Sequence, residues 1–144
     1  SSSSSLEAFE TLWSLAKFAA IAHIFHEYCL EISMCSGPSM LPTLNPAGDI
    51  VVMERVSPRL GAIRPGDVVI AKSPTNASQT ICKRVAAVEG DKVGDGVVPV
   101  GYVWLLGDNA ANSTDSRYYG AVPAALIKGR VFCRIFPFSQ IRSL

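Results

Sequence analysis

The sequence predicts a mainly β protein, a compact antiparallel barrel-like domain that follows one long α-helix. Residues 6–32 contain no Gly or Pro and are dense in Leu, Ala, Ile and Phe, as an uninterrupted helix requires. Beyond residue 49 the chain carries short segments rich in Val and Ile. Gly, Pro, Asn and Asp cluster between those segments, which is typical of strands joined by turns. These observations predict an all-β body.

The N-terminal region divides into a tail and a helix. Residues 1–5 are all serine, so we expect a disordered tail there. Residues 6–33 are predicted to form a membrane-anchor helix, because about 20 apolar residues suffice to cross a bilayer. Within its most apolar stretch, residues 12–30, lie Lys17, His23, His26 and Glu27. They leave open an amphipathic helix that lies on a membrane surface or on the domain.

The body, residues 34–144, is predicted to be built from short strands. These are Ile50–Val56, Asp67–Ala71, Thr80–Glu89, Tyr102–Leu106 and Arg130–Phe136. Pro123–Lys128 is the one segment of the body with the character of a helical turn. Short strands with dense turns favour antiparallel pairing and a barrel-like closure.

Composition excludes several functions. The net charge of +1 provides no basic surface for nucleic acid. The four cysteines form no C-x-x-C pair, so we expect free buried thiols and no metal site, with a disulfide left open. Nothing in the chain calls for a cofactor.

The segment "CSGPSMLPTL", residues 35–44, holds a serine unusually stiffly. Pro38 and Pro42 bracket Ser39, and proline restricts both its own backbone and the residue before it. We therefore take Ser39 as a candidate nucleophile. "GPSML" does not match the G-x-S-x-G elbow, and "HEYCL" does not match the zinc motif H-E-x-x-H. Both histidines lie in the N-terminal helix, so a Ser-His-Asp triad is not expected.

Lys83 is the best candidate base for such a serine. In "TICKRVAAVE" the strand alternation places Lys83 on the apolar face with Val85, and Arg84 on the opposite face. Burial disfavours the charged amine and lowers its pKa, and a neutral amine can accept a proton from a serine hydroxyl. Taken alone, the residue fits better a lysine that snorkels or pairs with a carboxylate.

The segment "GDNAANSTDSRYYG", residues 107–120, is the third candidate for chemistry. Ser113 could accept a hydrogen bond from the lysine amine, and Asp115 with Arg117 could form an ion pair that holds the loop. The alternative is an ordinary turn-rich surface loop.

In this order, "SGPSMLPTL", "ICKRVAAVEGD" and "GDNAANSTDSRYYG" resemble the type I signal peptidase family of membrane-anchored Ser/Lys proteases. The resemblance runs from about Met34 to Phe136. Bacterial members carry a larger inserted β-domain where this chain has only "VGDGVVPV". That short span, together with "CKR", resembles the mitochondrial inner membrane branch of the family.

The resemblance implies a role for each candidate residue. Ser39 would be the nucleophile and Lys83 the general base, with Ser113, Asp115 and Arg117 supporting them. Gly107, Asp108 and Asn109 begin the third motif and would be structural.

Gly37 departs from the family pattern, because bacterial members often have a serine there that helps the oxyanion hole. The hole would then rest on the Ser39 backbone N–H, with Ser36 as a second candidate donor.

The resemblance also implies a function, a location and partners. The chain would be a membrane-anchored serine endopeptidase of the mitochondrial inner membrane, with its catalytic domain facing the intermembrane space. It would remove sorting presequences from precursor proteins beside a second related subunit, as a heterodimer. Two alternatives stay open: a bacterial-type leader peptidase, and a non-catalytic β-barrel binding subunit of a membrane complex.

Overall fold

The N-terminal helix is the first element of the computed structural model, which describes residues 2–144. Helix α1 is Ser2–Tyr28, so it begins inside the predicted disordered tail and ends before the predicted boundary at 33. Ser1 of that tail lies outside the described residues. Across residues 2–144, no helix combines the length and the apolar character that a membrane crossing requires.

The predicted helix gives way to a strand at its C-terminal end. Strand β1 is Leu30–Cys35, and it pairs antiparallel with β2, Asp49–Glu54. Glu31 on β1 forms an ion pair with Arg55, just beyond β2. Pairing with β2 satisfies the backbone of β1 and outweighs the local helical preference, so residues 30–33 were wrongly predicted as helix.

The remaining elements are short. The other strands are β3 (Val68–Lys72), β4 (Thr80–Val88), β5 (Lys92–Val93), β6 (Gly96–Val97), β7 (Tyr102–Leu106), β8 (Val122–Pro123), β9 (Ile127–Phe136) and β10 (Arg142–Ser143). Two helices of one turn each are α2 (Val56–Arg59) and α3 (Ser116–Tyr119). Four short 3-10 helices are Pro38–Met40, Ala110–Asn112, Ala124–Leu126 and Phe138–Gln140.

The strands form one large antiparallel sheet and one hairpin. The sheet has the order β1-β2-β9-β3-β4-β7-β8, with β10 also paired to β9, and β5 pairs with β6 separately. The mainly β, antiparallel fold predicted from the sequence is confirmed. Strand β9 begins at Ile127, so it takes over part of the predicted helical turn at 123–128, and a 3-10 turn occupies the rest.

Strand alternation builds the core. On β2, Asp49, Val51 and Met53 point inward while their neighbours are only half-buried. One apolar cluster includes Val51, Met53 and Val68, and a second includes Val69, Val85 and Leu105. Because β3 supplies Val68 to one cluster and Val69 to the other, its two faces are both covered, as its continuous apolar sequence requires.

Candidate active site

The loop that carries Ser39 is held from two sides. Ser39 lies in the 3-10 helix at Pro38–Met40, and the Met40 side chain anchors that helix in the core with only 2% exposure. The backbone N–H of Asn109 donates to the Ser39 carbonyl at 2.8 Å. The Asn109 side-chain amide donates to the Pro38 carbonyl at 3.0 Å. These bonds fix the position of the serine relative to the loop that follows β7.

Gly37 precedes this turn in a conformation that favours glycine. Its φ is +104°, a region that residues with a Cβ rarely adopt. A serine at this position would be strained in this backbone conformation. Ser36 is exposed and lies on the wall of the cavity that also contains Ser39.

Lys83 lies on β4 with its side chain turned into the domain. It is 5% exposed, and Val85 on the same face is fully buried. Its amine Nζ donates a hydrogen bond to Ser113 Oγ at 3.1 Å. Burial lowers the pKa of Lys83, and the nearby charge of Asp115 opposes that shift only in part. The alternation of the strand therefore places this amine on the apolar face, as predicted from the sequence.

Ser39 and Lys83 line one cavity of about 140 Å³. Among the described residues, the side-chain hydrogen bond of Lys83 goes to Ser113, and none joins it to Ser39 Oγ. Catalytic hydrogen bonds are often long without substrate and tighten when the site is occupied. The Ser39 hydroxyl and the poorly hydrated Lys83 amine thus belong to residues that line the same small cavity.

Asp115 and Arg117 form a bidentate ion pair at the start of α3. The Arg117 guanidinium donates to the two carboxylate oxygens at 2.8 and 2.9 Å, and the Gly107 N–H donates to Asp115 at 3.0 Å. Asp115 is fully buried. Burial alone would raise the pKa of its carboxyl, but hydrogen bonds led by the Arg117 bond hold that pKa well below the usual range. A charged Asp115 therefore ties the loop back to the end of β7.

Gly107 allows the two halves of the site to meet. A Cβ at this position would lie within 2.1 Å of Ser113 Oγ and 2.6 Å of the Ser39 carbonyl oxygen. No side chain other than hydrogen fits there without moving the backbone of the Ser39 turn. Gly107 thus permits the close approach of Ser39 to the loop that holds Ser113.

A second ion pair that the sequence reasoning did not identify joins the same elements. Arg84 donates two hydrogen bonds to Asp108, both at 2.8 Å, and Thr43 donates another to the same carboxylate. This network connects β4, the loop after β7 and the loop after Ser39. The alternation of β4 does place Arg84 opposite Lys83, but its distant partner Asp108 could not be found from spacing alone.

The assembled site has the parts that acyl transfer requires. A hydroxyl is held on a rigid turn, a buried amine can lose its proton, and an ion pair positions the loop between them. These features are typical of serine endopeptidases that use a lysine as their base.

Comparison with known proteins gives the family. The chain belongs to the signal peptidase family, peptidase S26, whose family model matches residues 8–95 and 93–136, and it is a serine endopeptidase.

Two of its relatives are subunit 1 proteins. Mitochondrial inner membrane protease subunit 1 of Mus musculus is 47% identical, over 93% of this chain and 86% of that protein. Mitochondrial ATP-independent inner membrane protease subunit 1a of Arabidopsis thaliana is 41% identical, over 96% of this chain and 89% of that protein. Subunit 2 of the mitochondrial inner membrane protease of Danio rerio is 38% identical, over 76% of this chain and 66% of that protein.

Proposed function

We propose that this chain is the catalytic subunit of a mitochondrial inner membrane protease that removes sorting presequences from precursor proteins. Its catalytic domain would face the intermembrane space. The relatives that bear the name subunit 1 support the location in the inner membrane. The observation that carries the catalytic part is a buried lysine, Lys83, 5% exposed, in the wall of the cavity that also contains Ser39.

In the proposed reaction, Ser39 Oγ attacks the carbonyl carbon of the scissile peptide bond. Neutral Lys83 Nζ accepts the hydroxyl proton and then delivers it to the leaving amine, which leaves an acyl group on Ser39. Water next attacks this ester, with Lys83 again as the base, and the free serine is restored.

The remaining residues act by positioning. Ser113 Oγ accepts the hydrogen bond of the Lys83 amine at 3.1 Å and would orient its lone pair toward Ser39. Asp115 and Arg117 would hold Ser113 in place through their bidentate pair. The Ser39 backbone N–H would stabilise the oxyanion, and Ser36 is the second candidate donor. A second donor matters because losing one such donor costs roughly 3–4 kcal/mol.

The substrate would bind as an additional β-strand. Strand β1 is an edge of the large sheet, and its end at Cys35 lies on the wall of the catalytic cavity. An extended peptide could pair with this edge, satisfy its backbone groups and present alternate side chains to shallow pockets. This mode suits a presequence that reaches the site as an extended segment of a tethered precursor.

Attachment to the membrane would involve α1. Large apolar side chains along it are exposed, among them Leu12, Phe18 and Phe25. Such side chains favour an apolar environment. A second related subunit is proposed as the partner in a heterodimer, since relatives are named as subunits 1 and 2 of one protease.

The test is cleavage of a synthetic presequence peptide by the purified protein and by two variants. We expect Ser39→Ala and Lys83→Met each to lose at least about 100-fold in kcat/KM. Both variants should remain folded, and Lys83→Met should be at least as resistant to denaturant as the wild type, because methionine removes the cost of burying an amine. Near-normal cleavage by either folded variant would refute the Ser/Lys assignment.

A further inference from the structure

Two of the four cysteines lie beside the catalytic residues. Cys35 is the last residue of β1, and Cys82 lies on β4 directly before Lys83. Both line the cavity that contains Ser39 and Lys83. Both also line a second cavity of about 140 Å³, formed by residues 33–36, residues 80–82 and Ile70. The two cavities share these thiols and together form a groove between β1 and β4.

The two thiols are neighbours at the first core cluster. Cys35 is 6% exposed within the first core cluster, and Cys82 packs against that cluster. The Cys82 side chain lowers the pKa of Cys35, and the same interaction raises the pKa of Cys82. Cys35 is thus the thiol that more readily forms a thiolate, which is the reactive form.

We propose that Cys35 and Cys82 form a redox-active dithiol site whose oxidation by a small-molecule disulfide closes the peptide groove between β1 and β4. The role of the groove rests on the proposed function. Strands β1 and β4 are not neighbours in the sheet, since β2, β9 and β3 lie between them. A covalent bond between their ends would therefore cross the open side of the sheet.

The chemistry is two successive thiol–disulfide exchanges. The Cys35 thiolate attacks one sulfur of a disulfide RSSR, which releases one RS⁻ and leaves Cys35 joined to SR. The Cys82 thiol loses its proton and attacks the Cys35 sulfur, which releases the second RS⁻ and forms the Cys35–Cys82 bond. The protein loses two electrons and two protons, and RSSR becomes two RSH.

The disulfide would act on substrate and base together. The sulfur atoms must approach to about 2 Å, which draws the end of β1 toward β4. A peptide strand added at this edge would lose its space. Lys83 follows Cys82 in the chain, so its amine would move relative to Ser39. Misplacement of a catalytic group by about 1 Å can cost about 100-fold in rate.

The other two cysteines provide a matched control. Cys29 lies between α1 and β1, and Cys133 lies on β9 opposite Val52. Neither lines the catalytic cavity or the second cavity. All four thiols are free in the structure. The double variant Cys29→Ser/Cys133→Ser therefore retains only the proposed site.

The experiment incubates the full chain with oxidised glutathione and then measures cleavage of a presequence peptide. Non-reducing peptide mapping identifies the linked cysteines. We expect a Cys35–Cys82 linkage, a loss of cleavage of about 100-fold, and recovery with dithiothreitol. Cys29→Ser/Cys133→Ser should respond as the wild type does. In Cys35→Ser/Cys82→Ser, the ratio of oxidised to reduced activity should stay near one.

Two results would overturn the proposal: oxidised protein without the Cys35–Cys82 linkage, or linked protein that cleaves as fast as the reduced protein. If Cys35→Ser/Cys82→Ser does not fold, the Cys29→Ser/Cys133→Ser variant still tests the proposal. Its peptide map shows whether Cys35 and Cys82 are linked, and its recovery of activity with dithiothreitol shows whether that linkage inhibits cleavage. Failure of the reduced wild type to cleave refutes the proposed function and the role of the groove. The peptide map then still shows whether the Cys35–Cys82 disulfide forms.

Discussion

At the scale of single residues, the charges near Lys83 act on its pKa in opposite directions. Asp115 would by itself keep the amine protonated, since a nearby carboxylate raises the pKa of a lysine. Its two oxygens are already bonded to the Arg117 guanidinium, whose positive charge acts on Lys83 in the opposite direction. Desolvation therefore dominates and lowers the pKa of the amine. The ion pair of Asp115 and Arg117 thus supports the loop without cancelling the lowered pKa that catalysis needs.

Ser113 should matter for rate more than for stability. In Ser113→Ala the Lys83 amine loses the acceptor that lies 3.1 Å away, so its lone pair is less well directed at Ser39. We expect kcat to fall about 10-fold or more, with little change in KM, in steady-state cleavage assays. Thr114→Ala, a change at the exposed neighbouring residue, is the control and should behave as the wild type. Equal rates for Ser113→Ala and Thr114→Ala would show that Ser113 does not position the lysine.

Some of these residues could be predicted from the sequence and some could not. The alternation of β4 is a local property, and it placed Lys83 inside and Arg84 outside. Two prolines indicated a stiff turn around Ser39. The bond from Arg84 to Asp108 joins residues 24 positions apart, and the bond from Asn109 to the Pro38 carbonyl joins residues 71 apart. Such contacts depend on how the sheet folds, which spacing in the sequence does not reveal.

At the scale of elements, the site depends on how closely the Ser39 turn approaches the loop after β7. Gly107 lies at that contact, and a methyl group there would overlap Ser113 and the Ser39 carbonyl. The hydrogen bond from the Asn109 N–H to the same carbonyl sets the spacing. The two segments can move apart only by breaking this bond.

Gly107→Ala should accordingly impair both stability and activity. We expect a loss of about 1–3 kcal/mol in the free energy of unfolding, because a methyl group is forced into a filled space. Cleavage should fall by a larger factor than the unfolded fraction of the variant explains. Denaturant titration gives that unfolded fraction, and kcat gives the loss of activity in the folded protein. Gly96→Ala is the control, since its Cβ would meet only the Val93 carbonyl oxygen at 3.7 Å. Full activity in Gly107→Ala would contradict the required close approach.

Element boundaries were predicted well where the local sequence determines them, and poorly where pairing with a distant strand determines them. Strand β7 was predicted at its observed limits, and β4 was predicted to within one residue. Strand β1 was predicted as helix, because Leu30 and Ile32 continue an apolar segment that has no breaker. Its pairing with β2 comes from a partner about twenty residues later, and this long-range pairing outweighs local preference.

At the scale of the whole molecule, a buried ion pair connects the catalytic turn to the C-terminal strands. Arg134 on β9 donates to Asp49 at 2.9 Å, and both residues are at most 4% exposed. The same guanidinium donates to the Thr43 and Gln140 carbonyls. Burial by itself would raise the pKa of Asp49. Hydrogen bonds from Asn45 and Arg134 outweigh burial, so the pKa of Asp49 lies below that of an ordinary aspartate. This carboxylate therefore stabilises the fold above the pKa of an unfolded Asp, and that stability is lost as the pH falls.

Removing the cation of this pair should be costly. In Arg134→Met the Asp49 carboxylate stays buried without its charged partner, so the free energy of unfolding should fall by about 3–5 kcal/mol at neutral pH. Urea titration followed by circular dichroism measures it. Arg64→Met, a change at an exposed arginine, should alter the free energy of unfolding by less than about 0.5 kcal/mol. A loss in Arg134→Met no larger than in Arg64→Met would mean that the pair contributes little.

The most direct measurement of the central claim is the pH dependence of kcat/KM for peptide cleavage, with folding monitored at each pH. A lysine base is inactive when protonated, and burial lowers the pKa of Lys83 in the folded protein. The account therefore predicts that kcat/KM rises with pH through one ionisation, with a midpoint below the value of about 10.4 for a free lysine. A rate that stays constant as the pH falls well below neutrality, in protein that remains folded, would contradict it.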